Sequence, residues 1–221
     1  MVPTEETETT RARRALTHGD PSVRVRAAMA VGTAPDPRLV DDLVERCAVE
    51  AEFSVREMLT WALIRYPPAV TVPKLVGELR SRRPQARSQA LHTLSKIGDR
   101  RAWPAISREL LTDPDDEVAR SAWRAAVVLA PDDARFELGQ VLATQLGRGG
   151  KDIRLSLSRA LVALGEVITP ILRAAAEAAD PLVRQHAIAT ERLVLDPDAG
   201  FELAIEEAKR IVALGGGREG S

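Results

Sequence analysis

The sequence predicts an all-α protein, a right-handed α-solenoid of about six helix pairs plus a C-terminal capping helix. Three observations carry that prediction. The first is a recurring pair in which an apolar anchor is followed, in all copies but one, by arginine: Val23-Arg24, Val55-Arg56, Ala86-Arg87, Val118-Ala119, Ile153-Arg154 and Val183-Arg184. Successive anchors lie 32, 31, 32, 35 and 30 residues apart, the period of stacked units that bury their apolar faces only on their neighbours. The second is the pattern within a period: apolar residues at helical spacing, such as Val23, Ala27 and Val31, bounded by glycine and proline. The third is a composition of 45 % apolar but only 3 % aromatic residues, which suits closely packed small helices. No stretch alternates as a strand does.

The elements follow in order. A short helix over 11–18 stops at Gly19, and Asp20 caps the next with Pro21 at its first position, where the free N–H groups favour both. Gly32 and the cluster Pro35-Asp36-Pro37 end that helix and the first pair, 9–33. Further pairs are expected over 37–66, 71–98, 102–130, 134–165 and 168–195, with a closing helix over 199–214. Asp113-Pro114 and Asp180-Pro181 repeat Asp20-Pro21, and Gly98 and Gly165 repeat Gly32. Pro37, Pro73, Pro104 and Pro170 are placed near the starts of first helices. Three copies depart from the pattern: Glu52-Phe53 stands for Asp-Pro in the second, Ala119 for arginine in the fourth, and Gly149-Gly150-Lys151-Asp152 for Asp-Pro in the fifth. The reading is one repeat domain over 9–214, with disordered tails at 1–8 and 215–221, which lack an apolar pattern.

The repeated D-P-x-V-R…A…A…G and the stretch Ile97-Gly98-Asp99-Arg100-Arg101-Ala102-Trp103-Pro104-Ala105-Ile106 resemble HEAT repeats. The likeness is to the short type found in phycobilin-lyase-like proteins, and it covers about residues 9 to 214. The whole chain is similar to actinobacterial HEAT-repeat proteins, in which such arrays can be joined to a MerR-type DNA-binding domain. The resemblance implies an armadillo-like α-solenoid serving as an effector or interaction module, and no winged-helix segment is visible.

A net charge of −1 argues against a whole-molecule pull on nucleic acid, so nucleic acid is not expected as a partner by itself. Cys47 is the single cysteine, placed in the helical run 39–48 as a buried apolar residue. No internal disulfide can form, and a reducing compartment fits. The polar start MVPTEETETT is no secretory signal, and no apolar stretch is long enough for a membrane span. The expectation is a cytoplasmic protein. His18, His92 and His186 lack cysteine or acidic partners at ligand spacing, so no metal is expected. No nucleotide or hydrolase motif is present, and no cofactor is expected. Gly147-Arg148-Gly149-Gly150 reads as a flexible turn.

The arginine after each anchor recurs in nearly every unit, which assigns Arg24, Arg56, Arg87, Arg154 and Arg184 to stacking, each pairing with an acidic or carbonyl group. Function is sought at fixed offsets from the anchor along the second helices, which line the concave face in arrays of this kind. Six and ten residues after the anchor, the middle repeats carry Trp61, Arg65, His92, Lys96, Arg124 and Arg159. This basic and aromatic set suits a protein partner, through an acidic peptide, a phosphorylated group or another anionic ligand. Trp103 and Trp123 read as fillers between repeats. The functional reading is a non-catalytic scaffold binding along its concave face, and the resemblance implies a regulatory module. The alternative is an enzyme of the HEAT-like kind, an alkylpurine DNA glycosylase or a bilin lyase, for which Glu57 beside Trp61 is the residue to watch.

Overall fold

The cap of each second helix stands three residues before its anchor. Asp20, Glu52, Arg83, Asp115, Gly150 and Asp180 open α2 (Pro21–Thr33), α4 (Phe53–Leu63), α6 (Pro84–Ile97), α8 (Asp116–Leu129), α10 (Lys151–Ala163) and α12 (Pro181–Leu195). The aspartates use their side chains: Asp20 accepts from the Ser22 amide at 2.8 Å and Asp180 from the Leu182 amide at 2.7 Å. First helices alternate with these as α1 (Glu8–Leu16), α3 (Val40–Val49), α5 (Pro68–Glu78), α7 (Arg108–Leu111), α9 (Arg135–Ala143) and α11 (Thr169–Ala176), and α13 (Phe201–Gly215) closes the chain. The computed structural model describes residues 7–196 and 201–215, with side chains of the last helix described over 204–212. Among these residues there are helices and turns and no strand.

The chain divides into two compact units, Met1–Ile106 and Ser107–Ser221. In the first, α2 packs on α4, α4 on α6, and α3 on α6. Its core holds Leu16, Leu43, Leu59, Leu63, Leu91 and Leu94, all 1 % exposed or less. In the second, α8 packs on α10, α10 on α12 and α12 on α13, around Trp123, Leu129, Leu142, Leu157 and Leu161. Anchors of the middle repeats are buried, whereas Val23 and Val183 in the first and last pairs are half-buried.

The arginine after the anchor does one job in several repeats: its guanidinium caps the carbonyls five and six residues back. Arg24 donates to the carbonyls of His18 and Gly19, Arg56 to those of Glu50 and Ala51, Arg87 to that of Ser81, and Arg184 to those of Ala178 and Ala179. These are carbonyls left over where a first helix ends, and a positive side chain complements them. The fourth repeat has Ala119 at that place, yet its two carbonyls are not left alone. Arg148, from the turn before α10, donates to the Asp113 carbonyl at 2.6 Å and the Pro114 carbonyl at 3.2 Å. The small Ala119 and the large Trp123 sit one helical turn apart, both fully buried, and the indole N–H donates to the Leu111 carbonyl at 2.8 Å.

Arg24 also forms a buried two-bond pair with Glu50, both contacts at 2.8 Å. Glu50 is fully buried and further accepts from Arg46 at 2.8 Å and from the Glu52 amide at 2.9 Å, while its carbonyl accepts from Gln85 of α6 at 2.6 Å. Burial disfavours its charge, but the hydrogen bonds from Arg24, the Glu52 amide and Arg46 outweigh that and hold its pKa at about 2. One residue therefore ties three repeats. Cys47 next to it is buried, which pushes its thiol up to about 12, so it packs as a small apolar group.

Several expectations need correction. The fourth first helix, expected as continuous from 102, is broken into a 3-10 turn over Arg100–Ala105 and the four-residue α7, with Ser107 extended before α7. Pro104 has no amide to carry a helix through that turn. Pro73 lies inside α5, which Pro68 opens. Asp115, not Asp113, caps α8, with Asp113 accepting from the Asp115 amide instead. Gly98 and Gly165 do end their helices with positive φ, 69° and 81°, but Gly32 lies within α2 and is needed for close packing. The turn at Gly147–Gly150 is held in place by Arg148 and by the Gly147 amide. Thr7 and Glu8, assigned to a disordered tail, are the cap and first residue of α1, and Gly215 ends α13. The remainder of both tails, 1–6 and 216–221, lies outside the described residues.

Candidate functional site

The residues singled out from the sequence fall into two constellations, one in each unit. In the first unit, α4 presents Trp61, and Arg65, in the turn just past the end of α4, lays its guanidinium over the indole at 4.3 Å from the ring centroid. His92 of α6 faces Glu57 of α4, Nε2 to Oε1 at 3.5 Å, an ion pair whenever the imidazole is protonated. Lys96 follows His92 by one turn and is exposed. The carboxylate of Glu57 makes this face mixed in charge, where a purely basic one was expected.

In the second unit, Arg124 of α8 and Arg159 of α10 are brought to the walls of one cleft of about 370 Å³. Arg120, Val127, Asp152, Leu155, Ser156 and Ala160 complete it. Arg120 is held by Glu117, Nη1 to Oε1 at 2.8 Å. Among the described residues Arg159 makes no ion pair, and its side chain is exposed. Charge here is again mixed, because Asp152 in the first turn of α10 shares the wall.

The offsets read along the second helices missed Arg120 and Asp152, which stand two residues after and one residue before their anchors.

A second arrangement has the look of chemistry. Ser158 Oγ lies 3.0 Å from His186 Nε2 and 2.7 Å from Thr190 Oγ1. The Gly147 amide donates to His186 Nδ1 at 3.0 Å. An amide can only donate, so the neutral ring carries its proton on Nε2, which points at the Arg154 carbonyl, 3.0 Å away, and at Ser158. That tautomer cannot accept a proton from the serine. All three side chains are fully buried, and burial presses the imidazole down to about 4. The cluster therefore fastens α10, α12 and the Gly147 turn together. Among the described residues no group of three or more histidine, cysteine or acidic side chains could hold a metal ion, and no single helix is long and apolar enough to cross a membrane.

No protein-family model and no curated protein sequence matches this chain. Solved structures do. The karyopherin Kap121p, bound to the extreme C-terminus of the protein phosphatase Cdc14p, is similar at 19 % identity and a TM-score of 0.60 over 96 % of this chain. The match spans 26 % of the karyopherin chain. A chain of the CpcE–CpcF phycocyanin lyase complex from Nostoc is similar at 19 % identity and TM-score 0.49, over 94 % of this chain and 88 % of that one. Human deoxyhypusine hydroxylase is similar at 18 % identity and TM-score 0.46, over 93 % and 94 % of the two chains. With the helix pairs described above, the karyopherin likeness shows an all-α, HEAT-like helical-repeat fold. Likeness at this identity extends to fold alone.

Proposed function

We propose that this protein is a non-catalytic HEAT-like scaffold that captures an acidic or otherwise anionic segment of a protein partner, working in the cytoplasm. The observation that carries the reading is the cleft where Arg124 of α8 and Arg159 of α10 face the same space. Two guanidinium groups converging from separate helices form a receptor for a negative group, since their planar forks give charge-assisted hydrogen bonds. The Trp61–Arg65 and His92–Glu57 pairs on the first unit offer polar and aromatic surface of a kind found at protein interfaces. A regulatory role beside a DNA-binding partner of MerR type, and a kinship with the phycobilin-lyase-like group, belong to the same proposal and rest on the resemblance of the repeats.

The test is affinity purification with the full chain and with the double variant Arg124→Glu/Arg159→Glu. The wild type should retain a partner that the variant loses, at an unchanged melting temperature. A partner captured equally by both proteins removes the cleft from the account. Release of a base from alkylated DNA by the purified chain would replace the scaffold reading with an enzymatic one.

A further inference from the structure

Resting on the scaffold reading, we propose that the cleft between α8 and α10 reads a single phosphomonoester: a phosphorylated serine or threonine of a partner protein, carried beside a basic residue. The charge favours phosphate over carboxylate. A glutamate brings one negative charge, whereas a phosphate brings three oxygens and about two charges and so balances two guanidinium groups at once. Arg124 and Arg159 stand on different helices around one space, as that geometry requires. Ser156, in the same wall, supplies a hydroxyl donor for a further oxygen.

Size and lining agree. A volume of about 370 Å³ accommodates a phosphate with the side chain that bears it, at the small end of ligand clefts. Val127, Leu155 and Ala160 line the space, giving apolar contact for the methylene or methyl of the modified residue.

Asp152 decides what may stand next to the phosphate. A carboxylate in the wall opposes a second negative group and attracts a cation. Acid continues at that end of α8, where Asp116 and Glu117 occupy the first turn, with Glu117 holding Arg120. A uniformly acidic tract and a nucleic-acid backbone both place further negative charge against these groups. A nucleic-acid backbone also needs a run of unopposed cations, which a chain of net charge −1 with Asp152 in its cleft does not provide.

The experiment presents the full chain with degenerate peptide libraries fixed at the centre as phosphoserine, serine or glutamate, and reads enrichment and then affinity by fluorescence polarisation. The expected result is selection of phosphoserine members with lysine or arginine adjacent, roughly tenfold or more over glutamate, equivalent to one decade in Kd. Arg159→Ala should lose that binding at an unchanged melting temperature. Asp152→Asn should keep the phosphate preference and lose the preference for an adjacent cation. Equal binding of the glutamate and phosphoserine libraries would overturn this inference while leaving capture of acidic segments standing. Enrichment of none of the libraries sinks both readings. Tighter binding of a single-stranded RNA, or of vesicles containing a phosphorylated inositol lipid, through the same two arginines also overturns it, because the occupant would then be a different macromolecule.

Discussion

Trp61 and Gly32 touch through the side chain that Gly32 lacks. A β-carbon built on Gly32 would stand 2.5 Å from Cζ3 of the indole and 2.8 Å from the backbone Cα of Ala62. Neither atom belongs to the loose end of a flexible chain, so α2 and α4 approach as closely as they do because one of them carries a glycine there.

Replacing Gly32 with alanine should therefore destabilise the protein, although alanine is the better helix former. The gain in helix propensity is about 1 kcal/mol, and overpacking of this kind costs about 1–3 kcal/mol. Urea unfolding should show a lower midpoint, accompanied by a changed indole emission. A midpoint that rises would mean that the helices part without strain.

Removal of Glu50 strands Arg24. Glu50→Ala leaves a guanidinium that is 7 % exposed without its carboxylate, and breaking a buried pair by deleting one partner costs on the order of 3–5 kcal/mol. Acid should do the same gradually. The folded pKa of about 2 lies below the ordinary 4.5, so the stabilisation is complete above about 4.5 and is lost as pH falls toward 2. Chemical unfolding followed down a pH series should show a smaller fall below pH 4.5 in Glu50→Gln than in the wild type, the remainder coming from groups such as Asp36 that titrate in both.

His186 predicts a loss at milder acidity. Its folded pKa of about 4 lies below the ordinary 6.5, so between those values the unfolded chain binds a proton that the folded chain refuses. Stability should decline as pH drops through that window, with a slope approaching 1.4 kcal/mol per pH unit. Protonation would also remove the acceptor for the Gly147 amide, so amide exchange at Gly147 should quicken first. A flat stability between pH 7 and 5 would show that the imidazole reaches water.

Arg148→Ala should cost about 2 kcal/mol, because it frees the Asp113 and Pro114 carbonyls and breaks the 2.8 Å pair with Asp116. Arg173→Ala serves as the contrast: its 3.2 Å pair with Glu191 leaves the arginine 73 % exposed, and such pairs contribute less than about 1 kcal/mol. Thermal unfolding of both variants ranks the two. Equal costs would deny Arg148 its structural place.

Much of the fold was legible because a repeated local signal needs no distant partner. Caps, anchors and helix periodicity are decided within a few residues, and six copies made the pattern plain. The candidate site was legible only in part. Arg124 and Arg159 share an offset and also a cleft, but Asp152 reaches the same cleft from an offset that was not read. Two expected helix boundaries failed, a stop at Gly32 and a start near Pro104. Gly32 sits where a terminator would, yet its role is set by an indole 29 positions away. Pro104 breaks a helix that the spacing alone would have drawn straight.

By itself the sequence determined that the chain forms paired helices, where the first and last of the second helices begin, and that the arginine after the anchor serves packing. Those follow from steric and hydrogen-bonding preferences of short segments. Tertiary structure decided that Glu50 is the acid paired with Arg24, that Arg148 covers for Ala119, and that Asp152 shares a cleft with Arg124. Each of these depends on which surfaces come together across some 26 to 35 residues of chain, and no local preference encodes that distance.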